Sequence, residues 1–435
     1  MNDIIIEKRN INSLCQILKK SFTVYGVTEK EEGHYVFAEI EEFADPLEDY
    51  KPTILPPKKY LFPQQETLLR FDTKPHADVR PVVESKKQIL FGVRPCDIHG
   101  INLLDKVFTT DHEDTNYTKK RADTIIFGID CLAPCYEHAL CESVGCLEVD
   151  DGYDVMMTDI GTKFYTVVRT SRGEELISKY ADFADAEDED KEKYLELKKK
   201  REGLFDYKFK ADLSELPLLF KNADNNPIWE ELNDRCLGCG RCNIVCPTCY
   251  CFDVYDCMEL DMSSGERCRE WDACTLKDFA VVSTGENFRS TRGQRLRHRF
   301  NRKFNYLMTK HNASFCVGCG RCTRSCPVNI DVAETVNSVI EGDDMENREE
   351  FLDRDDVLSR VHQYELERDE ERIFVNVREP IGGSSKGSFI AVPSLISKEC
   401  SNTDYVGLGD SVEDALNDCL KRIKGVPLGH VIPQG

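Results

Sequence analysis

The sequence predicts an α+β chain: an N-terminal α/β domain built around a parallel crossover, then a helical cysteine-rich domain, then a small αβ tail. Three observations predict it. A strand, helix, strand succession runs from Gln88 to Ile129, two cysteine runs of identical spacing begin at Cys236 and Cys316, and strand-like and helix-like patterns alternate beyond Ile373. The expected domains are 1–215, 216–372 and 373–435.

In the first domain, Ile11 to Phe22 reads as a helix and Tyr35 to Ile40 as a strand. The prolines of Pro52 to Phe71 suggest an extended, surface-hugging segment. QILFGV (Gln88 to Val93) and TIIFGI (Thr124 to Ile129) are short buried-strand patterns, and between them Ile98, Ile101, Leu104 and Phe108 fall at helical spacing. A right-handed parallel crossover follows, with Cys96 and Cys131 just past the carboxyl ends of neighbouring strands, where open α/β sheets hold their ligands. Asp154 to Arg169 reads as a hairpin turning at Asp159-Ile160-Gly161. The charged run Ala181 to Gly203 reads as a solvated helix or linker. Glu341 to Arg372 is expected to be helical; IFVNV from Ile373, a turn at Gly382 to Gly387, SFIAVP and the amphipathic SVEDALNDCLKRIKGVP make the tail.

Composition narrows the function classes. Of 435 residues, 57 are Lys or Arg and 79 Asp or Glu, a formal net charge of −22. Such a chain is not built for electrostatic nucleic-acid binding. Asp3 and Glu7 interrupt the apolar start, and no stretch reaches about 18 apolar residues, so neither a secretory signal nor a membrane span is expected. The 21 cysteines are then thiols of a cytoplasmic, reducing compartment, free to bind metal.

Cys236, Cys239, Cys242 and Cys246 form C-x2-C-x2-C-x3-C-P, repeated at Cys316, Cys319, Cys322 and Cys326. This is the spacing with which three thiolates wrap a 4Fe-4S cube while the fourth reaches the other cluster. Structural zinc typically uses two separated Cys-x2-Cys pairs instead. The small residues Gly238, Gly240, Gly318 and Gly320 let backbone amides approach the clusters. The long insert between Cys246 and Cys316 carries helical spacing, notably Leu296, Phe300, Phe304, Leu307 and Met308 on one side, so a helical two-cluster ferredoxin-type domain is expected. Arg289, Arg292, Arg295, Arg297, Arg299, Arg302 and Lys303 are its one basic stretch, suited to offsetting cluster charge or to docking.

Cys96, Cys131, Cys135 and Cys141 are candidates for a third cluster, with Cys146 as the substitute and zinc or plain packing as the alternatives. Cys249, Cys251, Cys257, Cys268 and Cys274 could hold another metal or pack beside the first cluster. Cys15, Cys400 and Cys419 are expected to be core. There is no G-x-G-x-x-G after a strand and no H-E-x-x-H, so no flavin or NAD is expected in this chain and no catalytic residue is assigned.

PPKKYLFPQQETLLRF (Pro56 to Phe71), FGVRPCDIHGINLLDKVF (Phe91 to Phe108), the Cys131 to Gly145 loop, CGRCNIVCPTCYC, WDAC and CVGCGRCTRSCPVNIDV together resemble the iron-sulfur β subunits of cytoplasmic sulfhydrogenases (hydrogenase/sulfur reductases) and the corresponding iron-sulfur subunit of anaerobic sulfite reductase. The resemblance covers roughly residues 50 to 335. It implies an electron-transfer subunit with two ferredoxin-type clusters and a third in the N-terminal domain, relaying single electrons between a flavin- and NAD(P)-binding partner and a catalytic subunit. Ala139 stands where that family usually has a cysteine, and Cys135 is the replacement. The rival readings are a heterodisulfide-reductase-linked subunit and a standalone thiol or iron-sulfur enzyme.

Overall fold

The computed structural model describes the chain except residues 1–2, 43–49, 75, 111, 344–356, 369–370, 384–388, 396–397, 400–402, 410–411, 425, 427–430 and 432–435. Helices and sheets are mixed throughout, and the chain packs as two compact units, Met1–Glu341 and Gly342–Gly435.

The first unit opens with β1 (Ile4–Glu7), α1 (Ile11–Leu18), β2 (Thr23–Glu31), β3 (His34–Glu39), β4 (Gln65–Asp72), β5 (Asp78–Pro81), β6 (Gln88–Val93), α2 (Pro95–Thr109), α3 (Thr115–Ala122) and β7 (Thr124–Ile129). It continues through β8 (Val155–Asp159), β9 (Lys163–Val168), α4 (Ser171–Tyr180), β10 (Ala184–Asp185) and α5 (Asp188–Arg201). An 8-stranded sheet takes the order β10-β1-β9-β8-β7-β6-β2-β3. Its central strands β2, β6, β7 and β8 are parallel, and antiparallel strands flank them. Every residue of β6 and β7 is buried, as the uninterrupted apolar runs require of strands covered on both faces. The crossover β6–α2–β7 is the expected one, and α2 starts at Pro95 because proline suits the first helical turn. The Asp154–Arg169 hairpin forms as β8 and β9.

Two segments here depart from expectation. Pro52–Phe71 does not lie on the surface: Pro57–Tyr60 make a 3-10 turn, Lys58, Leu61 and Phe62 are buried, and β4 follows. The charged run does form a helix, α5, but its last turn is not simply solvated. Lys198 and Arg201 reach the buried carboxylate of Asp130 at 2.5 and 3.1 Å, and Arg201 also donates to the Cys131 carbonyl.

Further along come α6 (Leu216–Asn222), α7 (Ile228–Arg235), α8 (Arg241–Ile244), β11 (Phe252–Met258), β12 (Ser264–Trp271) and α9 (Arg292–Asn301). A π-turn at Arg302–Tyr306 leads to α10 (Leu307–His311), α11 (Arg321–Arg324) and α12 (Val332–Asp343). The insert is therefore helical only in its second half. Its first half is the β11–β12 hairpin, because β12 finds a partner far away in β4 and completes a 4-stranded sheet β11-β12-β4-β5. That sheet is one reason the boundary expected after residue 215 falls inside a single unit. Another is Gly100 of α2, where even a Cβ would come within 2.8 Å of Pro247. Leu296, Phe300 and Phe304 pack with Phe220 and Trp229, as their spacing predicts.

In the second unit β13 (Val357–Arg368) pairs with β14 (Glu371–Gly383), β14 with β15 (Phe389–Leu395), and β15 with both β16 (Lys398–Glu399) and β17 (Gly407–Gly409). The helix expected over Glu341–Arg372 is confined to the end of α12. Residues 344–356 lie outside the described residues, and 357–368 are strand, held by a ladder running from Val357↔Gly383 to Arg368↔Glu371. The tail helix is α13 (Val412–Ile423), whose Ala415 and Cys419 pack on Val375, Val377 and Ala391. Cys15 and Cys419 are buried as expected; Cys400 and most of the Gly382–Gly387 turn lie outside the described residues. No helix among the described residues is long and apolar enough to cross a membrane.

Candidate metal centre

The two cysteine runs fold alike. Gly238 and Gly240 in one, Gly318 and Gly320 in the other, have left-handed φ values of 65°, 75°, 68° and 69°. Each second glycine opens a one-turn helix, α8 or α11. The turn aims amides at sulfur: Gly238 N–H donates to Cys236 Sγ at 3.3 Å. At Gly318 a side chain is excluded twice over. A Cβ there would stand 2.3 Å from the Leu140 carbonyl carbon and 2.4 Å from Cys141 N, and the conformation alone costs an L-residue about 1–2 kcal/mol. Gly318→Ala should therefore displace the 136–146 loop and lower the thermal midpoint, whereas Gly145→Ala, with the same sign of φ but open space around it, should cost only the backbone strain.

Cys246 does not stay with its own run. It lines one pocket, about 480 Å³ counting its open mouth, together with Cys316, Cys319 and Cys322. In return, the thiols that act on Cys236 are Cys239 of its own run and Cys326 of the other. Burial pushes the Cys242 and Cys316 thiols up to about 12, values that bound iron would reverse by taking the thiolate.

Part of the basic stretch turns inward. Arg295, Arg299 and Lys303 are buried, and none of Arg289, Arg292, Arg297 and Arg302 is fully exposed. A partner cannot dock on those three charges. Arg295 holds loop carbonyls at Thr275, Arg289 and Ser290. Arg299 and Lys303 both line the Cys246 pocket. Burial works against the charge of Arg299, but Cys242, Cys322, Cys249 and Cys246 outweigh it and raise its pKa. Lys303 is raised in the same way by Cys246 and Cys249. Lys303 Nζ donates to Thr248 Oγ1 at 2.5 Å, Arg299 donates to the Cys242 carbonyl, and Arg299 Nε is left without a partner. Buried cations ordinarily pair with carboxylates; these two have sulfur around them instead. A thiolate-bound cubane carrying about −2 is a group this pocket fits. Among the described residues no three His, Cys, Asp or Glu side chains meet at a point suited to one metal ion, and a cubane asks for something different, one thiolate at each of four irons.

The N-terminal candidates also come together, at the ends of β6 and β7. Cys96 and Cys141 are in hydrogen-bond contact, and Cys131 faces Cys135 and Cys96. Arg94 NH1 donates to Cys131 Sγ at 3.5 Å while its guanidinium lies 4.1 Å over the Tyr50 ring. Cys146, the substitute, stays beside this group: its amide donates to the Cys141 carbonyl at 2.7 Å, and the thiols acting on it are Cys316 of the second run and Cys96. Ala139, where a cysteine might have stood, is buried in the packing against Leu307 and Phe315. This group abuts the second run, for Cys96 acts on Cys319 and Leu140 N–H donates to the Gly318 carbonyl at 2.7 Å. The join is a buried ion pair. Arg321 clasps both oxygens of Asp97 at 2.6 and 2.7 Å and also holds Thr53. Neither Arg321 nor Lys58 stands out in the sequence as a site residue. The repeat contains the signal for the first: Arg241 and Arg321 occupy equivalent places, yet only Arg321 is buried.

Fold and site define a 4Fe-4S dicluster protein, and the family model for a 4Fe-4S dicluster domain matches residues 235–330. More particularly, the chain belongs to the sulfhydrogenase β-subunit family. It is 34% identical over 326 residues to the sulfhydrogenase 2 subunit beta of Pyrococcus furiosus, spanning 75% of this chain and 94% of that protein. No solved structure matches the chain.

Proposed function

We propose that this chain is the iron-sulfur electron-transfer subunit of an oxidoreductase complex, passing single electrons between a flavin- and NAD(P)-binding partner and a catalytic subunit of hydrogenase, sulfur-reductase or sulfite-reductase type. One 4Fe-4S cluster would be held by Cys236, Cys239, Cys242 and Cys326, a second by Cys316, Cys319, Cys322 and Cys246, and a third by Cys96, Cys131, Cys135 and Cys141. When bound, each supplies a one-electron redox couple. The observation that carries the reading is the pocket in which Cys246 joins the second run beneath Arg299 and Lys303. The chain's own residues hold the thiols in register and keep fixed positive charge beside them. The order of the groups supports a series, since the N-terminal group abuts the second run, whose Cys322 in turn acts on Cys242 of the first.

The standalone thiol enzyme is disfavoured by the same geometry. Burial holds the Cys131 thiol up at about 12, the opposite of an activated nucleophile.

Anaerobic purification should give about twelve iron and as much sulfide per chain from these three clusters, before any further centre is counted, with clusters that a low-potential donor reduces and an acceptor reoxidises. Clusters that never titrate would overturn the relay. Lys303→Met should make the midpoint of the second-run cluster more negative by tens of millivolts, because a buried positive charge favours the reduced state. An unmoved potential would mean that Lys303 does not face that cluster.

A further inference from the structure

Behind the Cys246 pocket lies a second cavity that neither cysteine run accounts for. Cys249, Cys251 and Cys274 line it, with Arg299, Arg302 and Lys303 around them. The three cysteines come from two loops, CPTCYC after the first run and WDAC after β12. A backbone bond from Asp272 N to the Cys251 carbonyl, 2.9 Å, holds the loops together, and Cys251 and Cys274 are in hydrogen-bond contact.

Two further features are those of a site made for thiolates. Asn243 is fully buried, and its amide nitrogen donates to sulfur, to Cys274 at 3.1 Å and to Cys249 at 3.6 Å. Its carbonyl is held by the Thr275 hydroxyl at 2.8 Å, which fixes the amide with its hydrogens toward the sulfurs. The charge is also unanswered. Arg302 donates to the Tyr250 hydroxyl, and buried Lys58 donates to the Cys249 carbonyl at 2.6 Å. With Arg299 and Lys303 they make four cations, none of which has a carboxylate within ion-pair reach among the described residues. Two cubanes bring about four negative charges, but Arg302 lines this cavity and faces Cys251, Cys274 and Cys249, and Lys58 acts on Cys249 ahead of Cys246.

We propose that Cys249, Cys251 and Cys274 hold a further iron-sulfur cluster through three thiolates, leaving one corner that no other cysteine among the described residues fills. This rests on the ferredoxin-type reading insofar as Cys242 and Cys246, the nearest other thiols, are taken by the first two clusters. Asn243 would donate to two of its thiolates, and Arg302 and Lys58 would balance its charge.

The test compares the full chain with Cys251→Ser and Cys274→Ser, purified anaerobically and reconstituted with ferrous iron and sulfide. Cys257→Ser, exposed on the β11–β12 hairpin, is the control. Each of the first two variants should lose about three or four iron and as much sulfide per chain, with the reduced-state signals of the ferredoxin-run clusters retained and the control unchanged. Iron equal to wild type in both variants, folded by circular dichroism, would overturn the proposal, as would zinc in place of the missing iron. Should either variant fail to fold, Asn243→Ala serves instead, since it should shift one cluster signal and leave the rest in place. Cys319→Ser separates this from the underlying reading: if it too loses no iron, the ferredoxin-type clusters fail with it.

Discussion

Cys246→Ser is expected to abolish the cluster of the second run, not that of its own. The thiol lies with Cys316, Cys319 and Cys322, so its loss opens a corner of that site while Cys236, Cys239 and Cys242 keep Cys326. About four iron per chain should go, and the reduced-state electron paramagnetic resonance spectrum should overlay that of Cys319→Ser. Cys326→Ser should instead match Cys239→Ser. Were each run self-contained, the pairing would be reversed, Cys246→Ser resembling Cys239→Ser. Loss of either cluster should interrupt electron transfer through the chain, because a series has no bypass.

Arg321→Met should cost about 3–5 kcal/mol, the penalty for leaving one member of a buried ion pair alone. Asp97 has 0% side-chain exposure and Arg321 3%, so neither charge can recover water. For a fold whose whole stability is about 5–15 kcal/mol, that is a large share. The damage should be local as well as global. Asp97 follows Cys96 and Arg321 lies between Cys319 and Cys322, so the N-terminal cysteine group should part from the second run before the sheet melts. Hydrogen exchange should show this as early opening of the 131–146 loop and of the first turn of α2. The paired change Asp97→Asn with Arg321→Met should recover part of the loss, since it removes both charges. Equal destabilisation by the single and the double change would mean that the pair contributes shape alone.

Much of the site is legible without the fold. The two C-x2-C-x2-C-x3-C-P runs point to their ligands by spacing, because it is the spacing with which three thiolates on one short loop wrap a 4Fe-4S cube. The apolar runs Gln88–Val93 and Thr124–Ile129 state a buried parallel pair, and so put Cys96 and Cys131 at one sheet edge. The expectations that fail share a cause. The prolines of Pro52–Phe71 suggest a surface path, yet its position comes from packing between the sheet and the β11–β12 hairpin. The charge of Val357–Arg368 suggests a helix, yet a long ladder with β14 holds it extended. Local propensity is outweighed where a distant strand offers a full set of backbone partners.

Read alone, the residues state which thiols exist, in what spacing, and that a family of iron-sulfur subunits carries the same pattern. What the fold adds is the surroundings of those thiols: which cations are buried beside them, and that Cys249, Cys251 and Cys274 line a cavity of their own. The run spacing already implies that the fourth thiol of each run crosses to the other, and the basic stretch reads as cluster-offsetting or docking charge; the fold puts Cys246 with Cys316 and, between those two roles, buries Arg299 and Lys303 beside sulfur. The reason is range. Ligand spacing is written within a dozen residues, whereas the charge balance and the neighbours of a buried site are set by segments hundreds of residues apart, as Lys58 beside Cys249 and Arg321 on Asp97 show.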